Sequence, residues 1–213
     1  MSYYSDFHAS CRLDHFTDND LKNFFVGKDQ VFIQNFVARG VRSGKFLRVK
    51  RGVYLFSPGE GVGHRSLFSL ANVLYHPSYV SFESALSYHG LIPEAVYVTT
   101  SACYQRKQKE FTTQIGTFDY HYIPCDPFFD GVFRDPQRHA LIAHPLRALF
   151  DLCYTRRKCY ESLQELEQDL RIERDDLLAY VRELAAEEIS ELGELYRRKH
   201  IRNLAEVLGE YAK

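Results

Sequence analysis

The fold is decided by FTDNDLKNFFVGKDQVFIQNFVARGVRSGKFLRVKRGVYLF, residues 16 to 56. Thr17, followed three positions later by Asp20, is a variant of the capping box and predicts a short helix from Asp18. Gly27 breaks it. Asp29 caps a second helix from Gln30, in which Ile33, Phe36, Val37 and Val41 recur at the spacing of one helical face. This helix is expected to stop at Ser43, ahead of Gly44. KFLRVKRGVYLF then reads as two short strands joined by a tight turn over Val49 to Gly52, with Gly52 supplying the positive φ that such a turn needs. Helix, four-residue turn, helix and basic hairpin is the order of a winged helix-turn-helix.

Charge along the chain agrees with that order. The whole sequence has 213 residues and a formal net charge of −1, which says nothing about nucleic acid. Its distribution does. Between Lys28 and Phe56 there are seven basic residues against Asp29 alone, whereas between Arg157 and Glu194 there are five basic residues against twelve acidic ones. A near-neutral chain therefore contains a basic module and an acidic one.

On the second predicted helix, if Ile33, Phe36, Val37, Gly40 and Val41 face the core, a step of about 100° per residue puts Val31, Asn35, Ala38 and Arg42 opposite, with Gln34 and Arg39 on the flanks. That outward face is polar, small and basic. A helix fits the major groove, where Asn or Gln pairs with adenine and Arg with guanine. The hairpin adds Arg48, Lys50 and Arg51, suited to phosphates or the minor groove, and Lys28 lies near the helix amino terminus, where a phosphate is also favoured. The candidate DNA-contacting residues are Lys28, Gln30, Gln34, Asn35, Arg39, Arg42, Arg48, Lys50 and Arg51.

Residues 57 to 63, SPGEGVG, are the candidate linker, dividing the chain into a domain over 1–60 and a second over 61–213. Beyond it, HRSLFSLANVLY and SFESALSYHG read as helices, the latter capped by Ser81 and stopped at Gly90. VYVTTSA, IGTFDYHYIP and ALIAH read as strands. Pro145 opens a helix with Leu146, Leu149, Phe150 and Cys153 on one stripe, and from Tyr160 onward the pattern is helical and strongly charged. Tyr79, Phe82, Tyr88 and Tyr97 are expected in the core. The fold class expected is α+β: an amino-terminal winged helix-turn-helix, then a mixed α/β domain with a helical carboxy-terminal region.

Two blocks of the sequence resemble the AbiEi-type antitoxins of type IV toxin-antitoxin systems. The first is SGKFLRVKRGVYLF, residues 43 to 56, similar to that family's wing. The second is YVSFESALSYHGLIPE, residues 79 to 94, followed in order by VYVTTSA, IGTFDYHYIP and IAHPLRALFDLCY. The family's last block usually reads closer to Ala-x-Pro-Glu-Lys-Ala-Leu, where His144, Pro145, Leu146 and Arg147 stand in this chain. The resemblance implies an autorepressor that binds inverted repeats in its own promoter, and a carboxy-terminal domain that counteracts a nucleotidyltransferase toxin without necessarily forming a stable complex with it.

No enzyme is expected. His64, His76, His89, His121, His139 and His144 fall in one stretch with Glu83, Asp119, Asp126 and Asp130, but without metal-ligand spacing or a glycine-rich phosphate loop, so no catalytic residue, metal or cofactor is assigned. His89 is expected to cap the carbonyls at its own helix end. The five cysteines form no Cys-x-x-Cys pair and read as reduced thiols, and with neither a secretory pattern nor a membrane span in sight the chain is expected in the cytoplasm. The alternatives to a DNA-binding regulator are a winged-fold protein-interaction scaffold, which would not bind duplex, and a metal-dependent nuclease, which would cleave it.

Overall fold

The computed structural model describes residues 3–57, 66–93, 96–106 and 108–213, within which ten helices and nine strands form a mixed α/β structure with two sheets, consistent with an α+β class. The expected linker lies, apart from Ser57, outside the described residues, as does His64.

The amino-terminal unit comprises α1 (Tyr3–Ser10), β1 (His15–Thr17), α2 (Asp18–Phe24), α3 (Gln30–Arg42), β2 (Phe46–Lys50) and β3 (Val53–Phe56). The capping box is present: the Asp20 amide donates to Thr17 Oγ1 at 3.3 Å and the Thr17 amide to Asp20 Oδ2 at 2.7 Å. Asp29 caps α3 by accepting from the Phe32 amide at 2.7 Å. Gly27, Gly44 and Gly52 adopt the positive φ that ends α2, ends α3 and turns the hairpin. Two elements come in addition to those expected. Helix α1 packs Phe7 into an aromatic core with Phe16, Leu21, Phe25, Ile33, Phe36, Phe46 and Phe56. Strand β1 pairs antiparallel with β3, completing a sheet of order β1-β3-β2. Val41, expected in the core, is exposed, because the helix turns that side toward the hairpin across an open groove.

Where α3 crosses β2 the ring of Phe46 lies directly against the Gly40 backbone. A Cβ placed on Gly40 would lie 2.1 Å from Cδ2 of Phe46, whose ring packs against Phe16 and Phe56 and would have to shift. Gly40→Ala is therefore expected to destabilise the protein by about 1–3 kcal/mol through overpacking, read as a lower urea midpoint at unchanged slope. An unchanged midpoint would contradict this packing.

The remainder comprises α4 (Leu67–Leu74), β4 (Ser78–Val80), α5 (Phe82–Tyr88), β5 (Val98–Cys103), β6 (Lys109–Thr113), β7 (Gly116–Tyr122), β8 (Val132–Asp135), β9 (Ala140–Ala143), α6 (Pro145–Arg156), α7 (Leu163–Leu170), α8 (Arg174–Val181), α9 (Ala186–Glu194) and α10 (Lys199–Gly209). The strands form one sheet of order β6-β7-β5-β4-β9-β8, parallel at β5–β7 and β4–β9 and antiparallel elsewhere. The stripe expected on α6 is only part of what that helix buries: Arg147, Ala148, Asp151 and Leu152 are buried too, so the helix is central rather than amphipathic. Tyr79 and Phe82 are in the core, but Tyr97 is 91% exposed, a correction to its expected burial.

Serine 81 stands at the N-cap position of α5 without capping it, because its hydroxyl is taken by Asp151 Oδ2 at 2.5 Å. His89 does not serve its own helix end either; its Nε2 bonds the Ala143 carbonyl of β9 at 2.8 Å. All five cysteines are free thiols. Among the described residues no helix is long and apolar enough to cross a membrane.

The two parts meet through β3. Tyr54 and Phe56 face the aromatic core, and Val53 and Leu55 face the larger one with Leu70, Ala71 and Leu74, which is why all four residues of this strand are buried.

Candidate nucleic-acid interface

Helix α3 and the β2–β3 hairpin diverge from their contact at Gly40 and Phe46, leaving a groove of about 530 Å3 between them. Of the nine candidate residues, Gln30, Gln34 and Arg42 line it from the helix and Arg48 and Arg51 from the hairpin. Lys22 of α2 and Tyr54 of β3 join them. Sequence reasoning missed both, although Lys22 lies on the polar side of a helix whose buried residue is Leu21. Lys22, Arg42, Arg48 and Arg51 are exposed, and among the described residues none of these four has an ion-pair partner. Asp18 is the acidic member of the lining; burial first, and then the neighbouring Asp18 carboxylate, push the Tyr54 hydroxyl above its ordinary range. Four cations against one carboxylate leave the groove positive.

Lys28, just ahead of α3, and Arg39 are on the opposite flank, beside Tyr3 and Tyr4 of α1. The Lys28 ammonium lies 5.3 Å from the ring centroid of Phe32 and 5.9 Å from that of Tyr3, and Arg39 Nε donates to the Asn35 carbonyl at 3.3 Å. Asn35 is exposed, as Lys28 and Arg39 are, and α3 presents Val31, Gln34, Asn35, Ala38 and Arg42 as a continuous outer strip.

Lys50 departs from its expected place with Arg48 and Arg51. The register shifts between Arg48 and Lys50, and the Lys50 ammonium turns inward to donate to the Leu74 carbonyl and lie 5.3 Å from the Phe111 ring centroid. Burial, with a smaller contribution from Lys109, lowers its pKa. Lys50 joins the two parts of the molecule and does not face the groove.

The histidines of the second part are dispersed. His89 bonds Ala143, His144 packs on Phe133 with ring centroids 4.7 Å apart, and His121 Nε2 meets Asp119 Oδ2 at 2.9 Å. Asp119 and His121 line a cleft of about 670 Å3 with Glu83, Asp169, Tyr97 and Arg156. Its carboxylates are engaged: Arg156 lies 3.7 Å from Glu83 and 3.5 Å from Asp169, and Lys158 lies 2.8 Å from Asp169. Among the described residues no group of three or more His, Cys, Asp and Glu side chains is placed to hold a metal ion.

No family model matches the chain, and no curated protein matches it.

Proposed function

We propose that the chain is a DNA-binding transcriptional regulator whose amino-terminal unit is a winged helix-turn-helix, with α3 as recognition helix and the β2–β3 hairpin as wing. The observation that carries this reading is the groove in which Gln30, Gln34, Arg42, Arg48 and Arg51 converge from two elements, with Lys22 from a third. A helix of thirteen residues with an exposed polar strip suits the major groove, and a cationic furrow between helix and hairpin suits the adjoining phosphate strand. Gln34 and Asn35 then face base edges, while Lys22, Arg42, Arg48 and Arg51 hold the backbone; Lys28 and Arg39 extend the cationic surface on the other flank. Lys50 is left out of the contact set because its ammonium faces Leu74.

The partner is an inverted-repeat operator in the chain's own promoter, and the second part acts as the antitoxin against a nucleotidyltransferase toxin. This part of the proposal rests on the resemblance of residues 79 to 94 and the blocks after them to AbiEi-type antitoxins. Co-expression tests it: the chain relieves growth arrest by the nucleotidyltransferase encoded beside it, and failure to relieve arrest would leave a regulator without antitoxin activity.

Base reading and backbone holding separate by mutation. Gln34→Ala is expected to weaken binding to the promoter duplex by about 1–3 kcal/mol and to leave a scrambled duplex unaffected. Arg51→Ala is expected to weaken both and to flatten the dependence of log affinity on log salt by about one unit. Were Arg51→Ala to affect only the promoter duplex and Gln34→Ala both, the hairpin would be the sequence reader.

A further inference from the structure

A cleft of about 850 Å3 opens where β7, the end of α6 and the start of α10 meet, away from the α3 groove. Arg106, Arg157, Arg198, His200, Tyr122 and Tyr154 line it, and none of its lining residues is acidic. Among the described residues none of the three guanidiniums has an ion-pair partner. Arg156, Lys158, Arg174 and Arg202, by comparison, are paired with carboxylates, while Arg197 and Lys199 beside Arg198, unpaired among the described residues, add to the positive charge.

The local backbone points the same way. Arg157 takes the left-handed conformation at the end of α6, with φ of +55°, at a position that glycine usually fills. Helix α10 begins at Lys199 with Arg198 at its N-cap position, no side-chain cap and no acidic residue in its first turn, so Arg198, Lys199 and His200 crowd the positive pole of the helix. Its first amide groups and the three guanidiniums together make the cleft positive, which favours an anion there. His200 Nε2 is buried without a hydrogen-bond partner.

We infer that this cleft binds a nucleoside polyphosphate, with the phosphate chain among Arg106, Arg157 and Arg198 and the base against Tyr122 and Tyr154. Guanidinium forks match phosphate oxygens, and the partly exposed rings of Tyr122 and of Tyr154, the latter 6.0 Å from the Arg198 guanidinium and 5.9 Å from the Tyr196 ring, leave apolar surface for a base. The volume lies within the roughly 300–1,000 Å3 of small-ligand sites. The acidic surface of residues 157 to 194, with twelve carboxylates against five cations, offers no track along which a longer strand would continue.

The inference is independent of the DNA reading, and calorimetric titration of the full chain tests it. ATP is expected to bind saturably and adenosine not at all. Arg157→Ala and Arg198→Ala should each weaken ATP by about ten- to a hundredfold, the range of a lost charge-assisted hydrogen bond. Arg198→Lys, which keeps the charge without the fork, should fall between Arg198→Ala and the parent, and Arg51→Ala should leave ATP binding unchanged. Three results would overturn the inference: no saturable binding of ATP to the folded protein, equal binding by both alanine variants, or a short single-stranded RNA that binds at the cleft and is not displaced by ATP.

Discussion

Asp151→Ala is expected to lower the unfolding free energy by about 3–5 kcal/mol, the range for breaking a buried ion pair from one side. Asp151 and Arg147 are both fully buried on α6, with Arg147 Nε 3.4 Å from Asp151 Oδ1. The carboxylate also accepts from Tyr196 at 2.6 Å, Tyr79 at 2.9 Å and Ser81 at 2.5 Å. Removing it strands a guanidinium and three hydroxyls away from water, and the phenol oxygen of Tyr79, at 2.7 Å from Arg147 Nη2, cannot compensate a full charge. Tyr196→Phe removes one donor and keeps the pair, so its loss should be smaller, about 1–3 kcal/mol. Urea denaturation reads both. A loss below about 1 kcal/mol for Asp151→Ala would mean that the network contributes little and that apolar packing alone holds β4, α6 and Tyr196 together. The network also bears on the second cleft, since it fixes the helix that ends in Arg157 and the residue two positions before Arg198.

Much of the amino-terminal unit was legible because its signals are local. Thr17, Asp20, Asp29 and the glycines at 27, 44 and 52 act within a few residues of themselves, and each marks the boundary that it predicts. Strand β1 was not legible: three residues become a strand only because β3 lies beside them. Strands β6 and β8 are the two edges of the larger sheet, and KEFTT and VFRD carry the charge that protects an edge while erasing apolar alternation. Helical periodicity likewise placed Gln34 and Arg42 on the open side of α3, but the inward turn of Lys50 follows from a register shift that no residue type announces. Arg147 and Asp151 were hidden for a related reason: an Arg/Asp pair four apart ordinarily marks a solvated face, and here the whole helix is enclosed.

On the proposed DNA-binding function, a salt dependence follows from the groove. If Lys22, Arg42, Arg48 and Arg51 each meet a phosphate, log affinity should fall against log salt with a slope of roughly −3.6, at about −0.9 per contact on duplex DNA. Between about 50 and 250 mM salt that is a loss of roughly three-hundredfold. The slope should be similar on promoter and scrambled duplexes, because phosphates carry no sequence, while the promoter duplex is held more tightly at every salt concentration. Lys50→Ala should leave the slope unchanged, since its ammonium faces the Leu74 carbonyl. The most direct measurement is therefore a fluorescence-anisotropy salt titration of the full chain on both duplexes, alongside a variant with Arg42, Arg48 and Arg51 changed to Ala and its fold verified by circular dichroism. The account predicts a slope near −3.6 for the parent and near −0.9 for the variant, three phosphate contacts fewer. Duplex binding that is absent, or a slope that the triple substitution leaves unchanged, would contradict it.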